Sequence, residues 1–185
     1  MDEQQTIFAI DPGNTESGFA IIQMPNFKLL DFGKIANEKL IKILSLSKPD
    51  AFAIEMVESY GMAVGKDVFE TCVWIGRFVQ SIHTQKHTFI YRKDEKLWLC
   101  GSLKAKDSNI RQALIDRYAT FDFKSGKGVK KNPDTFYGVS KDAWQAIAVG
   151  VTYYETMKHM GSKDVQAFRE DNEMVFRAFA RGEVG

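Results

Sequence analysis

Ile7-Phe8-Ala9-Ile10-Asp11-Pro12-Gly13-Asn14-Thr15-Glu16-Ser17-Gly18-Phe19-Ala20-Ile21-Ile22 sets one acidic residue, Asp11, at the end of the first of two apolar runs. Residues 7–10 and 19–22 read as buried strands, with Pro12, Gly13 and Gly18 punctuating the turn between them. The resulting hairpin holds Asp11 at the end of a central strand. A carboxylate fixed there, beside a glycine that lets a polyanion approach the backbone, suits metal binding or phosphate chemistry. A turn aspartate bonded to its own backbone explains the same pattern.

The rest of the composition narrows the class. With 185 residues, 44% hydrophobic and 12% aromatic, the chain can bury a full core as one domain with a small appendage. The N-terminus carries no basic, apolar, small-residue leader, and no uncharged apolar run approaches a membrane span. A cytoplasmic protein with no membrane partner is expected. Cys72 and Cys100 lack a CxxC partner or a nearby His, so they read as buried thiols rather than zinc ligands.

The formal net charge of +1 conceals an asymmetry. Between His83 and Lys131 there are twelve Lys and Arg against five Asp and Glu, whereas the remainder carries thirteen against nineteen. Such a segment suits phosphate binding by counterion release, and equally a solvated polar face.

Outward from the first hairpin, residues 17–24 and 27–35 extend an antiparallel meander through a Pro25-Asn26 turn. Asn37 reads as the cap of a short helix ending near Leu46. Residues 51–55 repeat the form of the first strand, an apolar run closed by Glu55. A helix over 64–83 follows, with Val64, Val68, Cys72, Ile75, Val79 and Ile82 as its apolar face. Residues 87–91 form a fifth strand, and strand-helix-strand order implies a right-handed crossover and a parallel pair. Two helices, Lys93–Cys100 and Ser108–Ala119, precede an irregular basic loop over 122–140. Ser140 caps a strongly apolar helix from Ala143 to about Lys158, and a last helix over about 163–180 puts Val165, Phe168, Val175, Phe176 and Phe179 on one side, more simply for core packing than for a partner.

Three acids occupy related positions: Asp11 ends strand one, Glu55 ends strand four, and Asp142 opens the helix after the basic loop. If strands one and four are neighbours, Asp11 and Glu55 stand side by side. Uncompensated carboxylates repel and resist desolvation, so such a cluster is tolerable mainly when it holds divalent cations. An all-oxygen set suits Mg²⁺ or Mn²⁺, and two ions would activate water and stabilise a leaving oxygen in phosphodiester cleavage.

These residues resemble the RuvC-type Holliday junction resolvases of the RNase H-like nuclease superfamily. The resemblance rests on Ala9-Ile10-Asp11-Pro12-Gly13 with Gly18, on Ala53-Ile54-Glu55 followed by a helix through Gly76-Arg77, and on Asp142-Ala143 leading into Ala146-Ile147-Ala148. Lys96 to Leu114 is similar to the family's lysine-glycine-helix segment. The resemblance implies an α/β, RNase H-like fold: a five-stranded mixed sheet, antiparallel meander plus parallel strands, with helices on both faces. It divides the chain into a nuclease domain over 1–160, including the basic loop, and a C-terminal helical extension over 161–185.

The family's metal ligands fall on Asp11, Glu55 and Asp142. The further acid or histidine usual three residues beyond Asp142 is Gln145 here, leaving Gln145 and Glu58 as auxiliary candidates. Glu58 stands where bacterial members carry a base-stacking aromatic, and Tyr60 or Met62 is the replacement. Phosphate contacts are assigned to Lys96, Lys104, Lys106, Arg111, Lys124, Lys127, Lys130 and Lys131. By resemblance the protein is a homodimer, pairing through the 64–83 helix at Cys72 and Gly76, which resolves four-way junctions and other branched DNA by paired cuts leaving a 3′-hydroxyl and a 5′-phosphate. The departures mark a divergent, phage-type member. Two other readings stay open: a junction-binding protein catalytically weakened at Gln145, and an actin-like or sugar-kinase phosphotransferase, whose phosphate loops also begin Asp-x-Gly.

Overall fold

The computed structural model describes residues 3–59, 61, 63–82 and 86–159. Its main sheet is built from β1 (Gln5–Asp11), β2 (Glu16–Met24), β3 (Lys28–Ala36), β4 (Ala51–Met56) and β5 (His87–Tyr91). The strand order is β3-β2-β1-β4-β5. β1 pairs antiparallel with β2 and β2 with β3, whereas β1–β4 and β4–β5 are parallel. The five-stranded mixed sheet read from the sequence is therefore the one observed, with β1 at its centre.

Burial on both faces explains why β1 and β4 are near-continuous apolar runs. Ile7 and Ala9 join one core cluster, and Phe8 and Ile10 the other. Against Phe8 and Ile10 lie Leu40 and Leu44 of α1 (Asn37–Leu46) and Ile75, Phe78 and Ile82 of α2 (Lys66–Ile82). On the opposite face lie α3 (Arg92–Cys100), α4 (Asp107–Tyr118) and the apolar helix α5, residues 141–159.

α5 seats unusually close to the sheet. A Cβ on its Gly150 would stand 2.8 Å from Ile22 Cδ1 and 3.0 Å from Ala9 Cβ, so only a glycine lets the helix settle there. Glu155 of α5 accepts hydrogen bonds from Trp98 Nε1, Arg117 Nη1 and Tyr118 Oη, each at 2.7 Å, and so clamps α3, α4 and α5 together.

Several details differ from the sequence reading. Asn37 is not a cap; Ala36 holds that position without a side-chain bond. Instead the fully buried Asn37 props the first turn: its Nδ2 donates to Gly13 O at 2.9 Å, and its Oδ1 accepts from Ser17 Oγ at 2.7 Å. α2 begins at Lys66 rather than 64, and of the expected stripe Ile75 and Ile82 are buried and Val68 and Val79 half-buried; Thr71 and Phe78 join the buried face, whereas Cys72, and Val64 ahead of the helix, are exposed. Cys72 is exposed and Cys100 half-buried, so neither is the core thiol expected. Phe69 and Val73 are also exposed on α2, beside a Gly76 with nothing near its Cβ position.

The basic loop is more regular than its sequence suggested. It contains a short antiparallel ladder, β6 (Gly128–Val129) with β7 (Asn132–Pro133). No helix among the described residues is long and apolar enough to cross a membrane. The helix expected over 163–180 and the extension 161–185 lie outside the described residues, as do Tyr60 and Met62.

Candidate active site

The register of the parallel strands creates the site. Ile10 of β1 stands opposite Ile54 of β4, so the next residues, Asp11 and Glu55, project from adjacent strand ends. Glu55 in turn faces Ile90 of β5, and two residues on the chain turns into α3 at Arg92. Carboxyl ends of parallel strands are where open α/β sheets bind ligands.

Asp142 arrives from α5 because Gly18 lets it. Gly18 is the cross-strand partner of Asp11, and a Cβ on it would lie 2.7 Å from the Asp142 carbonyl oxygen and 3.5 Å from Asp11 Cβ. Asp11, Glu55, Arg92, Arg111, Lys141 and Asp142 all line one cavity of about 550 Å³. Trp144 and Gln145 complete the α5 wall of that cavity.

Asp11 and Glu55 interact side chain to side chain, and charge on both is disfavoured there. Burial, then the Glu55 charge and hydrogen bond, push the Asp11 carboxyl up to about 8. Burial and the charge of Glu95 push Glu55 up to about 8 as well, with Arg92 pulling the other way. One carboxylate oxygen of this pair, Glu55 Oε2, is buried without a hydrogen-bond partner. Orphaned buried carboxylate oxygens are rare because their desolvation goes uncompensated.

Asp142 is less committed to the pair. Its Oδ1 accepts from Lys34 Nζ at 3.3 Å, in an ion pair about half exposed. Among the described residues no three His, Cys, Asp or Glu side chains are grouped so as to hold a metal ion. The fit to a divalent cation therefore rests on the Asp11–Glu55 pair: an all-oxygen donor set, two carboxyl groups held protonated unusually far up the pH scale where a cation would displace the protons, and an unsatisfied oxygen.

Bonded to two of the lining residues, Arg92 and Gln145, is a group that the sequence did not single out. Glu95 of α3 is fully buried; its Oε2 accepts from Gln145 Nε2 at 2.6 Å and from Arg92 Nη1 at 2.6 Å, while its Oε1 has no hydrogen-bond partner. Burial pushes Glu95 up to about 8 against the pull of Arg92 and Gln145. Arg92 also reaches Asp107 at 2.5 Å, and these acids outweigh the burial that disfavours its charge. Arg92 was findable, since it follows a parallel strand directly. Nothing in the sequence pointed to Glu95.

The other candidates scatter. Gln145 lines the cavity, whereas Glu58 is ion-paired with Lys93 at 2.7 Å and forms no part of the wall. Of the assigned phosphate contacts, Arg111 is in the wall, with its guanidinium 6.0 Å from the Trp144 ring. Lys104 and Lys106 are exposed beside α4, and Lys96 is half-buried on α3. Lys124, Lys130 and Lys131 are exposed on the 119–139 segment, with Lys127 partly covered.

Solved structures share this architecture. The chain superposes on Thermus thermophilus RuvC with a TM-score of 0.61 at 14% identity, covering 83% of this chain and 95% of that one. The fold is RuvC-like. T. thermophilus RuvC in complex with a Holliday junction substrate gives a TM-score of 0.62 at 12% identity, covering 85% of this chain and 97% of that one. No protein-family model and no curated protein matches the sequence. At such identities the likeness establishes the RNase H-like fold and leaves the chemistry to the residues in the cavity.

Proposed function

We propose that the chain is a metal-dependent endonuclease acting on branched DNA, four-way junctions above all. The observation that carries this reading is the Asp11–Glu55 pair: two half-buried carboxyl groups at adjacent strand ends, both pushed well above the usual carboxylate range, with one buried oxygen left without a partner. Around it stand Arg111 and Lys141, cations suited to phosphate. The choice of substrate is supported by one structural neighbour, T. thermophilus RuvC, solved in complex with a Holliday junction.

Asp11 and Glu55 would hold Mg²⁺ or Mn²⁺, with Asp142 joining from the same cavity once free of Lys34. When bound, such ions supply an activated water and stabilise the leaving oxygen of a phosphodiester. Gln145 is not a third acid for that site. As an amide it keeps Glu95 hydrogen-bonded and fixes the α5 wall against α3. Arg92 offsets part of the negative charge of Glu55 and Glu95. The homodimer, cytoplasmic location and paired cutting belong to the same proposal; the open apolar face of α2, with Phe69 and Val73, is where a second copy would sit.

The test compares a labelled synthetic four-way junction with linear duplex of the same sequence, with Mg²⁺ and with chelator. Mg²⁺-dependent nicks confined to the junction are expected. Junction binding without cutting would instead favour the weakened, non-catalytic reading, which the commitment of Gln145 to Glu95 makes the natural second choice.

A further inference from the structure

The 119–139 segment folds its two acids onto its own backbone, buries Phe136, and leaves Phe121, Phe123 and most of its lysines exposed. Asp134, buried, accepts hydrogen bonds from the backbone N–H groups of Thr120 (2.9 Å), Phe121 (3.1 Å), Asp122 (2.7 Å) and Thr135 (2.7 Å). Asp122 does the same for Lys124, Ser125, Lys127 and Gly128. Two carboxylates thus organise the loop from within, and no DNA is needed to shape it.

What this leaves outside is unusual. Phe121 is 47%, Phe123 57% and Val129 63% exposed. Lys124, Lys130 and Lys131 are exposed among them, and with Lys127 they make no ion pair among the described residues. Single exposed apolar residues need no explanation, but rings on a fixed turn interleaved with unpaired lysines have the composition of a nucleic-acid surface. The Phe121 ring is held against the turn: a Cβ on Gly128 would meet its Cζ at 3.0 Å. Phe123 is anchored through its carbonyl, which accepts from Gln112 Nε2 at 3.0 Å. The segment also adjoins the cavity, since Phe136 packs on Trp144 at 4.6 Å between ring centres.

We propose that the 119–139 hairpin is a stacking platform for unpaired nucleotides, Phe121 and Phe123 taking bases while Lys124, Lys127, Lys130 and Lys131 take phosphates. The proposal rests on the nucleic-acid reading of the neighbouring cavity and adds to it a preference for bases that have left the duplex. Every base offers a π-face, so the contact is tolerant of sequence, and a paired duplex denies it. An acidic protein would satisfy the lysines but offers planar groups only at scattered side chains, whereas a single strand offers one at every nucleotide.

The test is binding of the full chain, in chelator, to a labelled oligothymidine and to a fully paired duplex. Changing Phe121→Leu and Phe123→Leu together keeps apolar bulk and removes the rings. Single-strand affinity should fall about tenfold or more, with duplex affinity little changed. Phe121→Trp with Phe123→Trp should retain it. Lys130→Ala with Lys131→Ala should weaken both ligands and reduce the salt slope by about 1 to 2. An unchanged single-strand affinity in the double Leu variant, or equal losses on both DNAs, overturns the platform. Because cutting plays no part in this assay, a failed nuclease reading leaves the result interpretable. Loss of both would show as a native protein that binds neither DNA.

Discussion

Gln145 Nε2 donates to Glu95 Oε2 at 2.6 Å, joining α3 to α5 at the wall of the cavity that Asp11 and Glu55 also line. An amide at 145 is therefore required by the group it bonds. A carboxylate there would face a buried one whose other oxygen already lacks a partner. Gln145→Glu should destabilise the metal-free protein by roughly 1–3 kcal/mol, measured by denaturant unfolding, with part of the loss recovered on acidification. Stability equal to wild type at neutral pH would contradict this account of the residue.

The carboxyl pair sets a pH dependence. Asp11 moves from 3.8 to about 8 and Glu55 from 4.5 to about 8 on folding, so between about pH 4 and about pH 8 the folded state holds more protons than the unfolded one. Stability of the metal-free protein falls as pH rises through that window. Asp122 and Asp134 act in the opposite sense, being held low by hydrogen bonds despite the burial of Asp134, so their contribution is lost only below about pH 4. Thermal unfolding in chelator should show a maximum near the acid end of the window. Mg²⁺ should raise the melting temperature more at the alkaline end, where fewer protons need displacing. A melting temperature that climbs with pH across the window in chelator would contradict the assignment.

Gly18→Ala tests how α5 reaches the sheet. The new methyl would stand 2.7 Å from the Asp142 carbonyl oxygen, a backbone atom that cannot rotate away. A cost of about 1–3 kcal/mol is expected, together with a loss of junction cutting larger than the stability loss alone explains. Gly150→Ala, packed against Ile22 and Ala9 farther from the cavity, should cost comparable stability with less effect on cutting.

Asp134→Ala should unravel the basic hairpin. Four backbone N–H groups and the Thr120 hydroxyl lose their acceptor, a penalty on the order of 3 kcal/mol. Limited proteolysis should then cut within 120–134, while wild type resists.

The sheet was legible because its strands announce themselves: β1 and β4 are apolar on both faces and each ends in an acid, and the crossover rule makes the pair parallel. From that topology the convergence of Asp11 and Glu55 follows by register alone. The apolar spacing of α2 found Ile75 and Ile82 but not Thr71, a polar residue that is buried, and it wrongly included Cys72, which is exposed. Asn37 read as a cap, and Asp134 carried no signal at all; their partners, Gly13, Ser17 and the 120–122 backbone, are a property of packing that no local window contains. Glu95 was invisible for the same reason, lying in a polar helix whose buried side only the fold reveals.

The most direct measurement is Mg²⁺-dependent nicking of a labelled four-way junction by the native chain and by Asp11→Asn, a near-isosteric change that removes one carboxylate of the pair. Paired nicks from the native chain, reduced about a hundredfold or more in the variant while junction binding in chelator persists, are the predicted result. Undiminished cutting by Asp11→Asn would contradict the account.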